Sequence, residues 1–113
     1  MTKPQQRLIS LISDLGYVTV AEQPAGVYSL DIYLPELHCA VEYDGPSHWT
    51  TRDIRRDDWL WETFGIHTLR IDAEMMADEG ALIEYGLKPF FAGALEDRLR
   101  ERRQRAKENG WNG

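Results

Sequence analysis

The stretch Ser29–His48, SLDIYLPELHCAVEYDGPSH, determines how the rest of the chain is interpreted. It contains two runs of alternating residues, Ser29–Leu34 and His38–Asp44, which are typical of half-buried β-strands. Pro35 and Glu36 separate the two runs and predict a two-residue hairpin loop. The stretch therefore predicts two adjacent antiparallel strands.

Three carboxylates, Asp31, Glu42 and Asp44, occupy positions in these strands. With a two-residue loop, Asp31 would lie opposite Ala40 and on the same face as Glu42, and alternation places Asp44 on that face too. Like charges this close repel one another, so the arrangement favours a cation between them. Hard divalent ions such as Mg²⁺ bind one or two carboxylates together with waters and phosphates. The alternative is that the acids lie at strand ends and edges, facing solvent.

Further motifs follow Asp31 in a fixed order. They are the run Glu42–Trp49, EYDGPSHW, then Asp53 and Arg56 in a predicted helix, then Leu69–Ile71, LRI, in a predicted strand. This ordered set, within residues 5 to 72, resembles the restriction-endonuclease-like, or PD-(D/E)XK, superfamily. Within that superfamily it looks most like the small endonuclease-like domains related to the very-short-patch-repair endonucleases.

The resemblance implies a metal-dependent endonuclease that hydrolyses phosphodiester bonds in DNA, with DNA repair among its roles. It implies that Asp31, Glu42 and the backbone carbonyl of Tyr43 hold Mg²⁺ or Mn²⁺. The implied catalytic set is Asp31, Glu42, Asp44 and His48. Nicking of one strand and cleavage directed by a mismatch or a DNA structure all fit these residues.

Two positions depart from the superfamily's pattern. Most members have a lysine two residues after the glutamate, where this chain has Asp44. The very-short-patch-like relatives share this departure, and the histidine after the glycine turn, here His48, is the implied replacement. With an unperturbed pKa of about 6.5, His48 could activate water or protonate the leaving oxygen, while Asp44 orients it. Gln5 and Gln6 stand where relatives often carry a glutamate, which argues against a second metal ion.

Four residues are candidates for binding nucleic acid: Trp49, Arg52, Arg56 and Arg70. Trp49 could stack on bases or instead cap the core. A guanidinium can hold a phosphate with two hydrogen bonds, whereas local pairing with neighbouring acids is the alternative for the helix arginines. The resemblance favours phosphate contact for Arg56, and local pairing is favoured for Arg52. Arg70 could equally buttress the site or contact phosphate.

Two other functions remain open from the sequence. A non-catalytic nucleic-acid-binding module could retain the nuclease fold, although such a module has no use for acids that face phosphates. Alternatively, the chain could be a nuclease subunit that is active only with a partner protein. The basic segment Arg98–Glu108 suits either a polyanion or a solvated helix face.

The predicted fold belongs to the α/β (α+β) class with a restriction-endonuclease-like core. We expect a helix over about 3–15, a strand over 17–22, the hairpin, a helix ending at 64, and a fourth strand over 66–72. A helical crossover makes the fourth strand parallel to the third, giving a mixed sheet. Further helices are predicted over 73–85 and from about 89, and residues 108–113 are expected to fray. The prediction is one domain, 1–113, with a core of about 3–72 and a C-terminal helical extension of about 73–113.

Composition and charge set the remaining expectations. The 113 residues carry a net charge of −6, which argues against a nucleic-acid partner unless basic residues are clustered, as they are in Arg98–Glu108. No run reaches the length of a membrane span and the N-terminus does not resemble a signal peptide, so we expect a cytoplasmic protein. Cys39, the only cysteine, is expected in the core. A monomer and a homodimer are both compatible with the sequence.

Overall fold

The computed structural model describes residues 1–46 and 50–113. Its elements, in chain order, are α1 (Lys3–Asp14), β1 (Val20–Ala25), β2 (Tyr28–Leu34), β3 (Cys39–Gly45), α2 (Thr51–Phe64), β4 (His67–Asp72), α3 (Ala73–Ala77), α4 (Glu79–Ala81), a π-helix (Leu82–Leu87), α5 (Lys88–Glu96) and α6 (Leu99–Glu108). Within the described ranges, no helix is both long and apolar enough to cross a membrane.

The four strands form one mixed sheet in the order β1, β2, β3, β4. The first three strands make an antiparallel meander, and β4 pairs in parallel with β3 after the α2 crossover. The predicted fold class, a mixed sheet with helices around it, is confirmed.

The two longest helices, α1 and α2, start at capping interactions and lie within a residue or two of their predicted bounds. Thr2 and Gln5 exchange hydrogen bonds at the start of α1, and Thr50 and Asp53 do the same at the start of α2. Gly65 ends α2 with a φ of 68°, a left-handed conformation that glycine adopts without steric cost. These ends depend on neighbouring residues only, which is why the sequence predicts them well.

The connection between β2 and β3 is longer than predicted. Residues 35–38 form a four-residue turn, and His38 leaves the predicted strand with a φ of 47°. Tyr33 pairs with Ala40 across the two strands. Continuing this register places Asp31 directly opposite Glu42, so the predicted pairing of Asp31 with Ala40 is wrong.

The first strand also lies further along the chain than predicted, over Val20–Ala25. Tyr17, assigned to this strand by its aromatic ring, instead packs edge-on against Phe91. The turn after β1 lies against α2, because a Cβ at Gly26 would come within 2.5 Å of the Trp59 ring. The strand is irregular, since Glu22 has a φ of 54° and Pro24 lies in it.

Two apolar clusters lie on the two faces of the sheet. The first joins the strands to α1, the π-helix and α5, and includes Leu8, Ile12, Ile32, Val41, Leu87 and Phe91. The second joins them to α2 and α6, and includes Tyr33, Ala40, Leu60, Phe64 and Ala106. Cys39 is buried in the first cluster, as expected, and burial raises the pKa of its thiol to about 12.

The C-terminal end of the chain is packed against the sheet. The Trp111 ring contacts Tyr33, His38 and Phe64, and its backbone N–H donates to the Ala106 carbonyl at 2.8 Å. The expectation that residues 108–113 fray is therefore wrong. The aromatic ring of Trp111 fills a gap in the second cluster. The polar residues around Trp111 in the sequence give no sign of this packing. The helix predicted over 73–85, with an interruption near Gly80, is divided into α3, α4 and part of the π-helix, and the break between α3 and α4 falls at Asp78.

Candidate active site

Asp31 and Glu42 meet across β2 and β3. Glu42 Oε2 accepts a hydrogen bond from the Asp31 N–H at 3.0 Å, and Asp31 Oδ2 accepts one from the Tyr43 N–H at 3.3 Å. The structure thus brings two predicted metal ligands, the side chains of Asp31 and Glu42, together, and it ties Asp31 to the backbone N–H of Tyr43.

The Glu42 carboxyl lies where a second negative charge is unfavourable. Glu42 is 2% exposed. Burial, and then the hydrogen bond and charge of Asp31, raise the pKa of Glu42 to about 8, while Arg56 acts to lower it. Arg56 Nη2 donates to Glu42 Oε1 at 2.5 Å and to the Ser29 carbonyl at 2.8 Å. The protein itself therefore places one cation against this pair of acids.

Asp44 does not join the other two acids. The pairing of β3 with β4 is irregular between Tyr43 and Gly45, and Asp44 is the residue left over. Such an irregularity redirects a side chain, and Asp44 Oδ1 accepts a hydrogen bond from Arg70 at 2.8 Å. Burial raises the pKa of Asp44 even though Arg70 opposes that effect. The expectation that three carboxylates converge on one point is corrected accordingly.

Arg70 is buried, with 2% of its side chain exposed. Its Nε and Nη2 donate to the two oxygens of Asp57, at 2.8 and 2.7 Å. Burial disfavours its charge, but the hydrogen bonds and charges of Asp57 and Asp44 outweigh that effect and raise the pKa of Arg70. Asp53 lies farther away, with Oδ1 3.7 Å from Nη1. Of the two roles open to Arg70, this geometry fits buttressing, since its guanidinium is occupied.

Asp57 is a residue that the sequence analysis missed as a part of the site. It was considered only as a local partner of the arginines in α2, whereas it reaches Arg70 on β4. A signal was present, because Asp53 and Asp57 are four residues apart and so share one face of the helix. Two acids on one face, opposite a strand arginine, indicate a pairing across elements.

An open cleft of about 600 Å³ is lined by Arg56, the partner of Glu42, and by Asp44, but not by Asp31 or Glu42. The described residues that line it come from β2, the end of β3 and the start of α2: Tyr28, Tyr43, Asp44, Thr50, Arg52, Asp53 and Arg56. Arg52 is exposed there, and the Arg56 guanidinium lies 5.3 Å from the centre of the Tyr28 ring. The predicted residues His48 and Trp49 lie outside the described part of the chain.

The donor set fits a single hard cation. Asp31, Glu42 and the Tyr43 carbonyl supply oxygen ligands of the kind that Mg²⁺ prefers, and such an ion usually completes its shell with water and phosphate. Within residues 1–46 and 50–113, no group of three His, Cys, Asp or Glu residues could hold a metal ion. The fit is therefore to a site of two carboxylates, whose remaining ligands would be water or phosphate oxygens.

Comparison with solved structures finds similarity to the catalytic domain of the homing endonuclease I-Bth0305I. The match has a TM-score of 0.69 at 17% sequence identity and covers 85% of this chain and 100% of that domain. No protein-family model and no curated protein matches the chain significantly. At this identity the similarity shows the fold, which is nuclease-like.

Proposed function

We propose that the chain is a divalent-metal-dependent endonuclease that hydrolyses phosphodiester bonds in DNA. The observation that supports it best is the contact between Asp31 and the buried Glu42, whose partner Arg56 lines an open cleft, in a fold similar to an endonuclease catalytic domain. Burying one carboxyl next to another is costly and needs a compensating cation. Relationship to the very-short-patch-repair branch, and a role in DNA repair, are part of the same proposal.

Each residue has a stated role in this proposal. Asp31, Glu42 and the Tyr43 carbonyl would hold Mg²⁺ or Mn²⁺, which when bound supplies positive charge at the phosphate and lowers the pKa of water. Arg52 and Arg56 lie along the cleft and bind DNA phosphates. His48 is the proposed acid/base group and Trp49 the proposed base-stacking residue.

Arg70 has a supporting role. By holding Asp57 of α2 and Asp44 of β3 at once, it fixes the start of the helix against the end of the strand. Both walls of the cleft are thereby kept in place, and Asp44 remains available through its second oxygen to orient a catalytic neighbour. Among the described residues that oxygen, Oδ2, is buried and has no hydrogen-bond partner.

The proposal is tested by offering the protein supercoiled plasmid, linear duplex, mismatched duplex, branched junctions and single-stranded DNA with Mg²⁺, Mn²⁺ or chelator. We expect cleavage with metal only, and a loss of more than about a hundredfold in rate in Asp31→Ala and Glu42→Ala, because each removes a ligand. Arg55→Gln, on the exposed part of α2, serves as the matched control. Unchanged cleavage in the Asp31 or Glu42 variant would refute the assignment.

A non-catalytic DNA-binding module is favoured by one observation. Protein cations already neutralise two of the acids, since Arg56 holds Glu42 and Arg70 holds Asp44. The same panel of DNA substrates distinguishes the module from a nuclease, because a folded protein that binds DNA without cutting it supports the module. Cutting that appears only when a second protein is added supports the partner-dependent subunit. Sedimentation velocity separates a monomer, suited to nicking, from a homodimer, suited to cutting both strands.

A further inference from the structure

The two arginines nearest the candidate site are held very differently. Arg70 uses three nitrogens in short hydrogen bonds to carboxylates and is buried. Arg56 uses one nitrogen, Nη2, for both of its hydrogen bonds, and its side chain is 21% exposed. Its Nε is buried and has no hydrogen-bond partner within residues 1–46 and 50–113. Since a guanidinium has five N–H donors, Arg56 is poorly satisfied where it lies.

Arg56 contacts one particular carboxylate oxygen of Glu42. One carboxylate oxygen of Glu42, Oε2, is taken by the Asp31 N–H, and the other, Oε1, is the one that Arg56 contacts. A metal ion that binds Glu42 through Oε1 therefore meets the Arg56 guanidinium there. Two cations on one oxygen repel each other, so a metal ion at Oε1 weakens the contact between Glu42 and Arg56.

The Arg56 side chain also lies within reach of the cleft, where it could bind an alternative partner. It lines the cleft together with Arg52, one helical turn earlier on the same side of α2. A phosphate in the cleft would offer two or more oxygens to a guanidinium that now uses a single nitrogen. The partly exposed side chain needs no opening of the core to reach that side.

We propose that Arg56 exchanges partners, neutralising Glu42 while no metal ion is bound and binding a DNA phosphate when a divalent metal ion occupies Glu42. This inference rests on the proposed function and deepens it by making Arg56 the link between the metal and DNA sites. Binding of the metal ion then favours binding of DNA, and the reverse, because the metal ion releases Arg56 from Glu42 and a DNA phosphate binds the released Arg56.

The first test follows Arg56 itself, without DNA and without turnover. In a protein labelled with ¹⁵N on arginine, the Nε–H signal that disappears in Arg56→Gln belongs to Arg56. We expect Mg²⁺ to shift or broaden this signal with a saturating dependence, while the Arg70 Nε–H, held by Asp57, changes little. The Arg70 signal is an internal control for general effects of the ion. An Arg56 signal that is unchanged at saturating Mg²⁺ would overturn the proposal.

The second test measures DNA affinity in chelator, where the exchange should be blocked. Glu42→Ala removes the side-chain oxygen that retains Arg56, whatever its protonation state, so it should tighten duplex binding by about threefold or more. In a protein that also carries Arg56→Gln, the tightening caused by the Glu42 substitution should largely vanish. In a protein that also carries Arg55→Gln, it should persist. A double-mutant cycle isolates this coupling from the general effect of removing an acid. Equal gains in both backgrounds would contradict the exchange.

The two proposals can fail separately. If Mg²⁺ displaces the Arg56 signal but no DNA is cleaved, the exchange stands and the nuclease proposal falls. If cleavage depends on metal while the Arg56 signal and the cycle show no coupling, the nuclease stands and the exchange falls. If Mg²⁺ at millimolar concentration does not bind, both are overturned.

Discussion

His38 is a histidine kept neutral inside the protein. It lies in the turn between β2 and β3 and is fully buried. The Phe64 carbonyl lies 2.7 Å from Nε2 and can only accept, so Nε2 carries the proton and Nδ1 accepts from the Tyr33 hydroxyl at 2.7 Å. Both nitrogens are satisfied in the neutral form. Burial lowers the pKa of His38 to about 4.

This pKa shift predicts a stability change with pH. The unfolded chain binds a proton at His38 below about pH 6.5, and the folded protein does so only below about 4. His38 therefore favours unfolding as the pH falls through this range, by about 2 kcal/mol at pH 5. Urea denaturation at pH 7 and pH 5 should show the stability advantage of the wild type over His38→Gln shrinking by about that amount. An advantage that is the same at both pH values would contradict a neutral His38.

The residue scale is also where sequence prediction succeeds and fails most clearly. The predicted register of the hairpin is wrong by two residues, and because side chains alternate with a period of two, Asp31 and Glu42 still share one face. The irregularity at Asp44 depends on how β4 pairs with β3, and that pairing is not visible in β3 alone. Asp57 was missed for the same reason, because its partner Arg70 lies across the crossover.

Among the elements, α6 is the one whose role differs most from the expectation. Its cations suggested either a tail for polyanions or a solvated face. One of them, Arg102, is 3% exposed and donates to the carbonyls of Gly65, at 2.6 Å, and His38, at 2.5 Å. Arg103 also donates to the Pro35 carbonyl. The helix is thus attached to both the end of α2 and the turn after β2.

This attachment predicts unequal effects of two substitutions in one helix. Arg102→Ala should lower the free energy of unfolding by about 3 kcal/mol, because it leaves buried carbonyls without donors. Arg100→Ala, at an exposed position in the same helix, should change it by less than about 0.5 kcal/mol. Urea denaturation measures both. Equal effects would mean that α6 contributes through its surface charge instead.

Removal of residues 98–113 would accordingly disturb the fold as well as any binding. It would remove Ala106 from the second apolar cluster and expose the Tyr33 and Phe64 rings that Trp111 covers. The sequence predicted the helix but not its attachment. Arginine side chains usually lie at the surface. Here the carbonyls of Gly65 and of the turn accept hydrogen bonds from the side chain, and this makes a buried arginine possible.

For the whole molecule, the distribution of charge matters more than its total. The cleft lies at the carboxyl end of β3, whereas α6 contacts the turn that precedes this strand. A strand of this length separates the two by about 20 Å. A net charge of −6 disfavours the approach of DNA over most of the surface, so the proposed function requires the cations at the cleft to supply the attraction.

We therefore expect Arg52→Gln to weaken duplex binding and to reduce the slope of log affinity against log salt by about 0.9, the value for one phosphate contact. Lys107→Gln, an exposed cation of α6, removes the same charge at the far end and should leave the slope unchanged. Fluorescence anisotropy between 50 and 200 mM salt, with metal replaced by chelator, measures both slopes. A larger decrease in this slope for Lys107→Gln than for Arg52→Gln would indicate that DNA binds at α6.

The irregular first strand has a consequence for association. β1 is at the edge of the sheet, and an unpaired edge is a template onto which a strand of another molecule can add. Its six residues include a proline, which has no N–H to offer, and Glu22, whose left-handed backbone interrupts the regular pleat. Such an edge discourages fibril growth, so the protein can keep an exposed edge strand without recruiting copies of itself through it.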